Sequence, residues 1–96
     1  MSLYVFHGLD NPGSEQVRVA NRTAHLAHLD ALGDQLVLAG PLLSDDGATM
    51  IGSLLVLDFP DGESAAAWTA QDPYAKAGLF ASTTLHPFRK ARPVTK

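Results

Sequence analysis

Among the side chains able to move protons at neutral pH, His25 is singled out by its setting. It lies in a proline-free stretch from Glu15 to about Asp34 in which helix formers dominate. At about 100° per residue, Arg22, Leu26, Leu29, Leu32 and Leu36 fall on one arc, with Ala20, Ala24, Ala27 and Ala31 opposite. His25 sits at the flank of that arc, so its ring is predicted to point toward packed structure rather than open water. Arg22 precedes it by three residues and shares its face. An imidazole beside a fixed cation suits acid-base work on an anionic substrate. The same pattern also fits a core histidine satisfied by a carbonyl, with Arg22 snorkelling at the helix edge.

Asp72 is the carboxylate to weigh against it. Asp before Pro73 is what a helix N-terminus asks for, because the carboxylate accepts an orphan amide and proline suits the first turn. The functional alternative is a carboxylate that orients or charges an imidazole, but spacing along the chain does not show that it meets His25, and on the residues alone the cap reading leads. His25 and His28 stand at i and i+3, but a metal would need a third ligand from His7, His86 or a carboxylate. No His-Glu-x-x-His pattern exists, so no metal is expected. Ser53 follows Gly52 outside any Gly-x-Ser-x-Gly elbow, which fits a hydroxyl lining a pocket or a plain strand residue better than a nucleophile. No glycine-rich phosphate loop is present, and no cofactor is expected.

The elements that must position these groups are legible from pattern. Leu3–His7 is a strand ending in the turn cluster Asp10-Asn11-Pro12-Gly13. Ser14 then caps the long helix through its hydroxyl, and Gly33 ends it. Leu36–Ala39 is a short strand stopped by Gly40-Pro41. Asp45-Asp46-Gly47 reverses the chain, and Ile51–Phe59 is a strand apolar on both faces. Asp61 caps a helix through Trp68 to about Gln71, Asp72-Pro73 opens a further short turn ending near Gly78, and Leu79–Phe88 is the last strand. The order β-α-β-β-α-β predicts an α+β, ferredoxin-like sandwich. Two helices cover one face of four strands, yet Ile51–Phe59 and Leu3–His7 are apolar on both. A homodimer through the open sheet face is the expected solution.

The 96 residues allow one domain, residues 1–96 with a polar tail from about residue 90, and 46% apolar content is that of a globular chain. Seven Lys and Arg against ten Asp and Glu give a net charge of −3. The cluster Arg89, Lys90, Arg92 and Lys96 therefore reads as a solvated end, and no nucleic-acid partner is expected. There is no cysteine, which removes disulfides and thiol chemistry. With no signal-like start and no membrane-length apolar run, no membrane partner and a cytoplasmic location are expected.

Several short segments occur in a telling order: Asp10-Asn11-Pro12-Gly13-Ser14, Asn21-Arg22-Thr23-Ala24-His25-Leu26-Ala27-His28-Leu29, Ala39-Gly40-Pro41, Gly52-Ser53, Asp72-Pro73-Tyr74 and Pro87-Phe88. Taken together they resemble the YCII-related (YciI-like) family of the dimeric α+β barrel superfamily, from Leu3 to about Lys90. The resemblance implies a ferredoxin-like protomer whose sheet packs on a second copy. It implies that His25 and Asp72 are a catalytic pair in a cleft between helices and sheet, with Arg22, Gly40, Pro41 and Ser53 around a small-molecule ligand. The segment from Ser44 to Met50 is shorter than the loop of many members, and that loop would border the pocket. The expected function is cofactor-independent acid-base chemistry of lyase, isomerase or elimination type on a small anionic or phenolic metabolite. The alternatives are a non-catalytic dimeric binding module using the same cleft, and an accessory protein whose dimer surface is its function.

Overall fold

The apolar and β-branched runs form four strands: β1 (Ser2–Asp10), β2 (Leu36–Leu43), β3 (Met50–Phe59) and β4 (Phe80–Phe88). They make one antiparallel sheet in the order β2-β3-β1-β4. Helix α1 (Glu15–Asp30) joins β1 to β2, while α2 (Gly62–Ala70) and the single turn α3 (Pro73–Lys76) join β3 to β4. The computed structural model describes residues 2–94; Met1, Thr95 and Lys96, the last of the expected basic cluster, lie outside the described residues. The ferredoxin-like β-α-β-β-α-β arrangement is thus the observed one, with α3 added between α2 and β4.

Alternation along the strands decides which residues meet the helices. Tyr4 and Phe6 of β1 and Leu55, Leu57 and Phe59 of β3 pack with Leu29 of α1 and Ala65 of α2 in one core cluster. Removing a fully buried leucine such as Leu57 from this cluster costs about 2–5 kcal/mol. The intervening residues Leu3, Val5, Leu54 and Val56 lie on the other face, flanked by Leu38 and Phe88, which are 52% and 48% exposed. Among the described residues, no helix is long and apolar enough to cross a membrane.

Three local expectations are corrected. The buried stripe of α1 is Arg18, His25 and Leu29 rather than the leucine arc. Leu26 is 44% exposed, and Leu36 never joins the helix because α1 stops at Asp30 and a 3-10 turn intervenes before β2. The Ser14 hydroxyl does not cap α1; it turns back to donate to the Asn11 carbonyl, and the Ser14 carbonyl takes the amides of Val17 and Arg18. Finally, β2 runs through Gly40-Pro41, with Pro41 opposite Ser53. Proline is tolerated because β2 is an edge strand, where a missing N–H need not break a ladder.

Close backbone packing at Gly52 is the tightest constraint on the sheet. A Cβ there would lie 2.3 Å from the Gly8 carbonyl oxygen of the adjacent strand and 2.9 Å from Leu42 Cδ1. The clash involves main chain and cannot be relieved by a rotamer change. Gly52→Ala is therefore expected to lower unfolding free energy by about 1–3 kcal/mol, the usual cost of overpacking, as measured by urea denaturation.

Candidate active site

Two buried polar groups on different elements meet behind the helices. His25 and Asp72 are 7% and 2% exposed, and the Nδ1–H of His25 donates to both carboxylate oxygens of Asp72, at 2.9 Å to Oδ1 and 3.0 Å to Oδ2. Oδ1 also accepts the Tyr74 amide at 2.9 Å, so Asp72 is the N-cap of α3 as well. The two readings of Asp72 are not exclusive: a single carboxylate caps one helix and orients a ring on another. The bond fixes the tautomer with the proton on Nδ1, leaving Nε2 as the lone-pair nitrogen of the neutral ring. Nε2 makes no hydrogen bond among the described residues, yet it is not a buried unsatisfied atom, because His25 borders an open cleft.

Tyr74 holds the ring from the side. Its phenol stacks on His25 at 3.8 Å between centroids with 13° between planes. Its other contacts place it firmly: Phe80 meets it edge-on at 6.4 Å, and the Arg18 guanidinium carbon lies 4.9 Å from its ring centre. Phe80 can face the helices because the β1–β4 register shifts at Asp10, which pairs with Phe80 and skips Ala81.

Arg18 is the second hub. Its Nε and Nη2 donate to the two oxygens of Asp10 at 3.0 and 3.1 Å, in the fork geometry that suits a carboxylate. Nη2 also donates to the Gly52 carbonyl at 2.9 Å and to Ser53 Oγ at 3.1 Å. Both side chains of the ion pair are 9% exposed, so the guanidinium is a fixed charge at the base of the site rather than a surface contact.

These residues border a cleft of about 160 Å³ between α1, α3 and the β2–β3 edge. A cavity of about 150 Å³ accommodates benzene, which sets the scale of one six-membered ring. The structure brings His25, Arg22, Ser53, Gly40 and Pro41 to this one cleft, with Asp72 directly behind His25. Leu26, Leu29 and Leu55 supply apolar wall, and Met50 stands at the β2–β3 side. Arg22 is exposed and makes no ion pair among the described residues, so its charge is available to the cleft.

His28 goes elsewhere. Its ring stacks on Trp68 at 4.2 Å and its Nε2–H donates to the Trp68 carbonyl at 3.1 Å. His7 alternates onto the open sheet face. Among the described residues, no group of three or more metal-binding side chains forms. Sequence reasoning missed Arg18, Tyr74 and Asp10. A signal for Arg18 did exist: it precedes His25 by seven residues and Leu29 by eleven, two and three helical turns along one stripe.

The fold and cleft together define a small α+β protein with one helix-covered antiparallel sheet and a ring-sized pocket holding a carboxylate-oriented histidine. The chain belongs to the YCII-related domain family, whose family model matches residues 2–89. It is 38% identical to protein YciI of Escherichia coli O6:H1 over 95 residues, covering 92% of this chain and 97% of that one. It is 36% identical to an uncharacterized protein of Haemophilus influenzae over 94 residues, covering 91% and 96%. Among solved structures it is similar to the 5-chloro-2-hydroxyhydroquinone dehydrochlorinase of Burkholderia phenoliruptrix AC1100 in complex with 2,5-dihydroxybenzoquinone. That match has a TM-score of 0.86 and 35% identity, covering 91% of this chain and 93% of the other. A NIPSNAP domain protein from Burkholderia xenovorans, at 14% identity and TM-score 0.56 over the whole of both chains, shares the fold alone.

Burial raises the Tyr74 hydroxyl above its ordinary value of 10.0, against the opposing pull of the Arg18 and Arg22 guanidiniums. The folded protein therefore keeps this proton where the unfolded chain gives it up. The resulting stability is complete below pH 10.0 and is lost as pH rises above it. Urea midpoints measured across that alkaline range should fall more steeply for the wild type than for Tyr74→Phe, since lysines titrate alike in both.

Proposed function

We propose that the cleft binds a single-ring hydroxylated anion and that His25, held by Asp72, moves a proton at Nε2 in a cofactor-independent elimination. The observation that carries the reading is the doubly held Nδ1, which presents Nε2 to a ring-sized cleft bordered by two guanidiniums. The similarity to a dehydrochlorinase complexed with a dihydroxybenzoquinone supports the same substrate class. In the proposed step Nε2 removes a ring hydroxyl proton and the O–H electron pair becomes a C=O bond. The displaced ring electrons expel a halide such as chloride from a conjugated ring carbon, made sp³ beforehand by keto–enol tautomerisation that moves the proton of another ring hydroxyl onto it. The net change is loss of HX, and the imidazolium returns its proton to water. Asp72 faces the charge that develops on the ring, and Arg22 offers a charge-assisted contact to the substrate anion.

A non-catalytic binding module is favoured instead by one observation, the structural duty of Asp72 as the α3 cap, which would hold it in place without any chemistry. His25→Gln separates the two. Against a panel of halogenated hydroquinones, the variant should lose about 10²–10⁴-fold in turnover while ligand affinity, measured by calorimetry, changes little. Wild-type protein that binds members of the panel without releasing halide would leave the binding module as the correct reading.

The proposal extends to a homodimer through the open sheet face. Support comes from its apolar residues, which remain uncovered in one protomer: Leu38 and Phe88 are half exposed beside Leu3, Val5 and Leu54. Contiguous apolar surface of this kind marks an association site. Light scattering should give twice the chain mass for wild type and one chain mass for Leu38→Glu, whose side chain lies outside the helix-covered core. A monomeric wild type at micromolar concentration would refute it.

A further inference from the structure

The polar end of the cleft carries a second arrangement that the His25–Asp72 pair does not use. Ser53 Oγ accepts a hydrogen bond from Arg18 Nη2, and no acceptor for its own hydrogen exists among the described residues. Ser53 is buried, yet it lines the cleft. Tyr74 is alike in this respect. The Arg18 guanidinium carbon lies 4.9 Å from its ring centre, its hydroxyl makes no hydrogen bond among the described residues, and its oxygen is not among the buried atoms left without a partner, because Tyr74 lines the same cleft. The Ser53 hydroxyl and the Tyr74 ring therefore both pack on one guanidinium that is itself locked by Asp10 and the Gly52 carbonyl. The Ser53 hydroxyl, which accepts from that cation, donates more strongly in turn.

We infer that Ser53, polarised by Arg18, and Tyr74, packed against the same guanidinium, form a two-donor oxyanion subsite that takes a second oxygen of the substrate ring while His25 handles the first. The inference rests on the proposed elimination and narrows its substrate class to single rings bearing at least two oxygens, one of them ionised or carbonyl. Preformed donors aimed at a developing negative charge need no reorganisation when the proton leaves, which is how such subsites accelerate reactions. Arg18 is the positioning residue, since the donors reach the oxygen and its charge acts through them.

The subsite can be read without turnover. The probe is 4-nitrophenol, whose phenolate absorbs in the visible and whose neutral form does not, used at a pH where both forms are present. Adding wild-type protein should raise the visible band, because the subsite selects the phenolate. Ser53→Ala and Tyr74→Phe should each weaken phenolate binding about ten-fold or more, the usual loss for one hydrogen bond to a charged group. The double variant should lose about a hundred-fold if the donors are independent. Neither change removes a backbone contact, and phenylalanine keeps the ring stacked on His25, so circular dichroism melts should show both variants folded. His25→Gln should keep the band. Single variants that bind phenolate as tightly as wild type overturn the subsite, as does uptake of the neutral phenol or no uptake at all. In each of those cases the halide-release result for His25→Gln still decides the proposed reaction separately.

Discussion

The Asp72 carboxylate is the contact on which the architecture of the site depends. It takes an amide from Tyr74 at the start of α3 and the Nδ1–H of His25 from the middle of α1. A short turn such as α3 has little stability of its own, because helix nucleation is costly. Proline at its first turn, an aspartate cap and a buried tyrosine compensate, and the last two of these fix the orientation of the histidine. Capping and site assembly are therefore one event here. The ring cannot rotate without breaking a buried charge-assisted bond and an aromatic stack together.

Arg18 provides the complementary constraint from the opposite side. A guanidinium taken out of water needs partners for its donors, and the Nε and Nη2 of this one meet a carboxylate, a carbonyl and a hydroxyl. It thereby links β1 through Asp10, β3 through Gly52 and Ser53, and α3 through Tyr74. Arg22, which is exposed and without an ion-pair partner among the described residues, adds a second positive charge at the rim of the cleft. The result is a pocket with a rigid polar base, apolar walls and an adaptable cation at its rim.

The sheet was legible where the pattern was local. Strand periodicity, the Asp61 cap and the Asp72-Pro73 start are set by residues within a few positions of one another, and they lie where the sequence places them. Pro41 was misread because proline stops a central strand but not an edge strand, and edge status depends on which strands pair. Ser14 was misread because an alternative acceptor, the Asn11 carbonyl, lies within reach only once the turn has folded. The inward stripe of α1 was misread for a related reason. Leucines ordinarily mark a buried face, whereas this helix turns an arginine and a histidine inward because β1, β3 and α3 supply partners for them.

Sequence by itself determined the element order, the ferredoxin-like class, the apolar second face and the short list containing His25, Asp72, Arg22 and Ser53. All of these follow from periodicity, turn chemistry and local resemblance. Only the tertiary structure decided that residues 47 positions apart share a proton donor and acceptor. It also decided that Arg18 rather than a leucine lies against the sheet, and that Tyr74 stacks on the imidazole. The physical reason is that a buried polar side chain is stable only with its partner, and partners brought together by chain folding leave no spacing rule in the sequence.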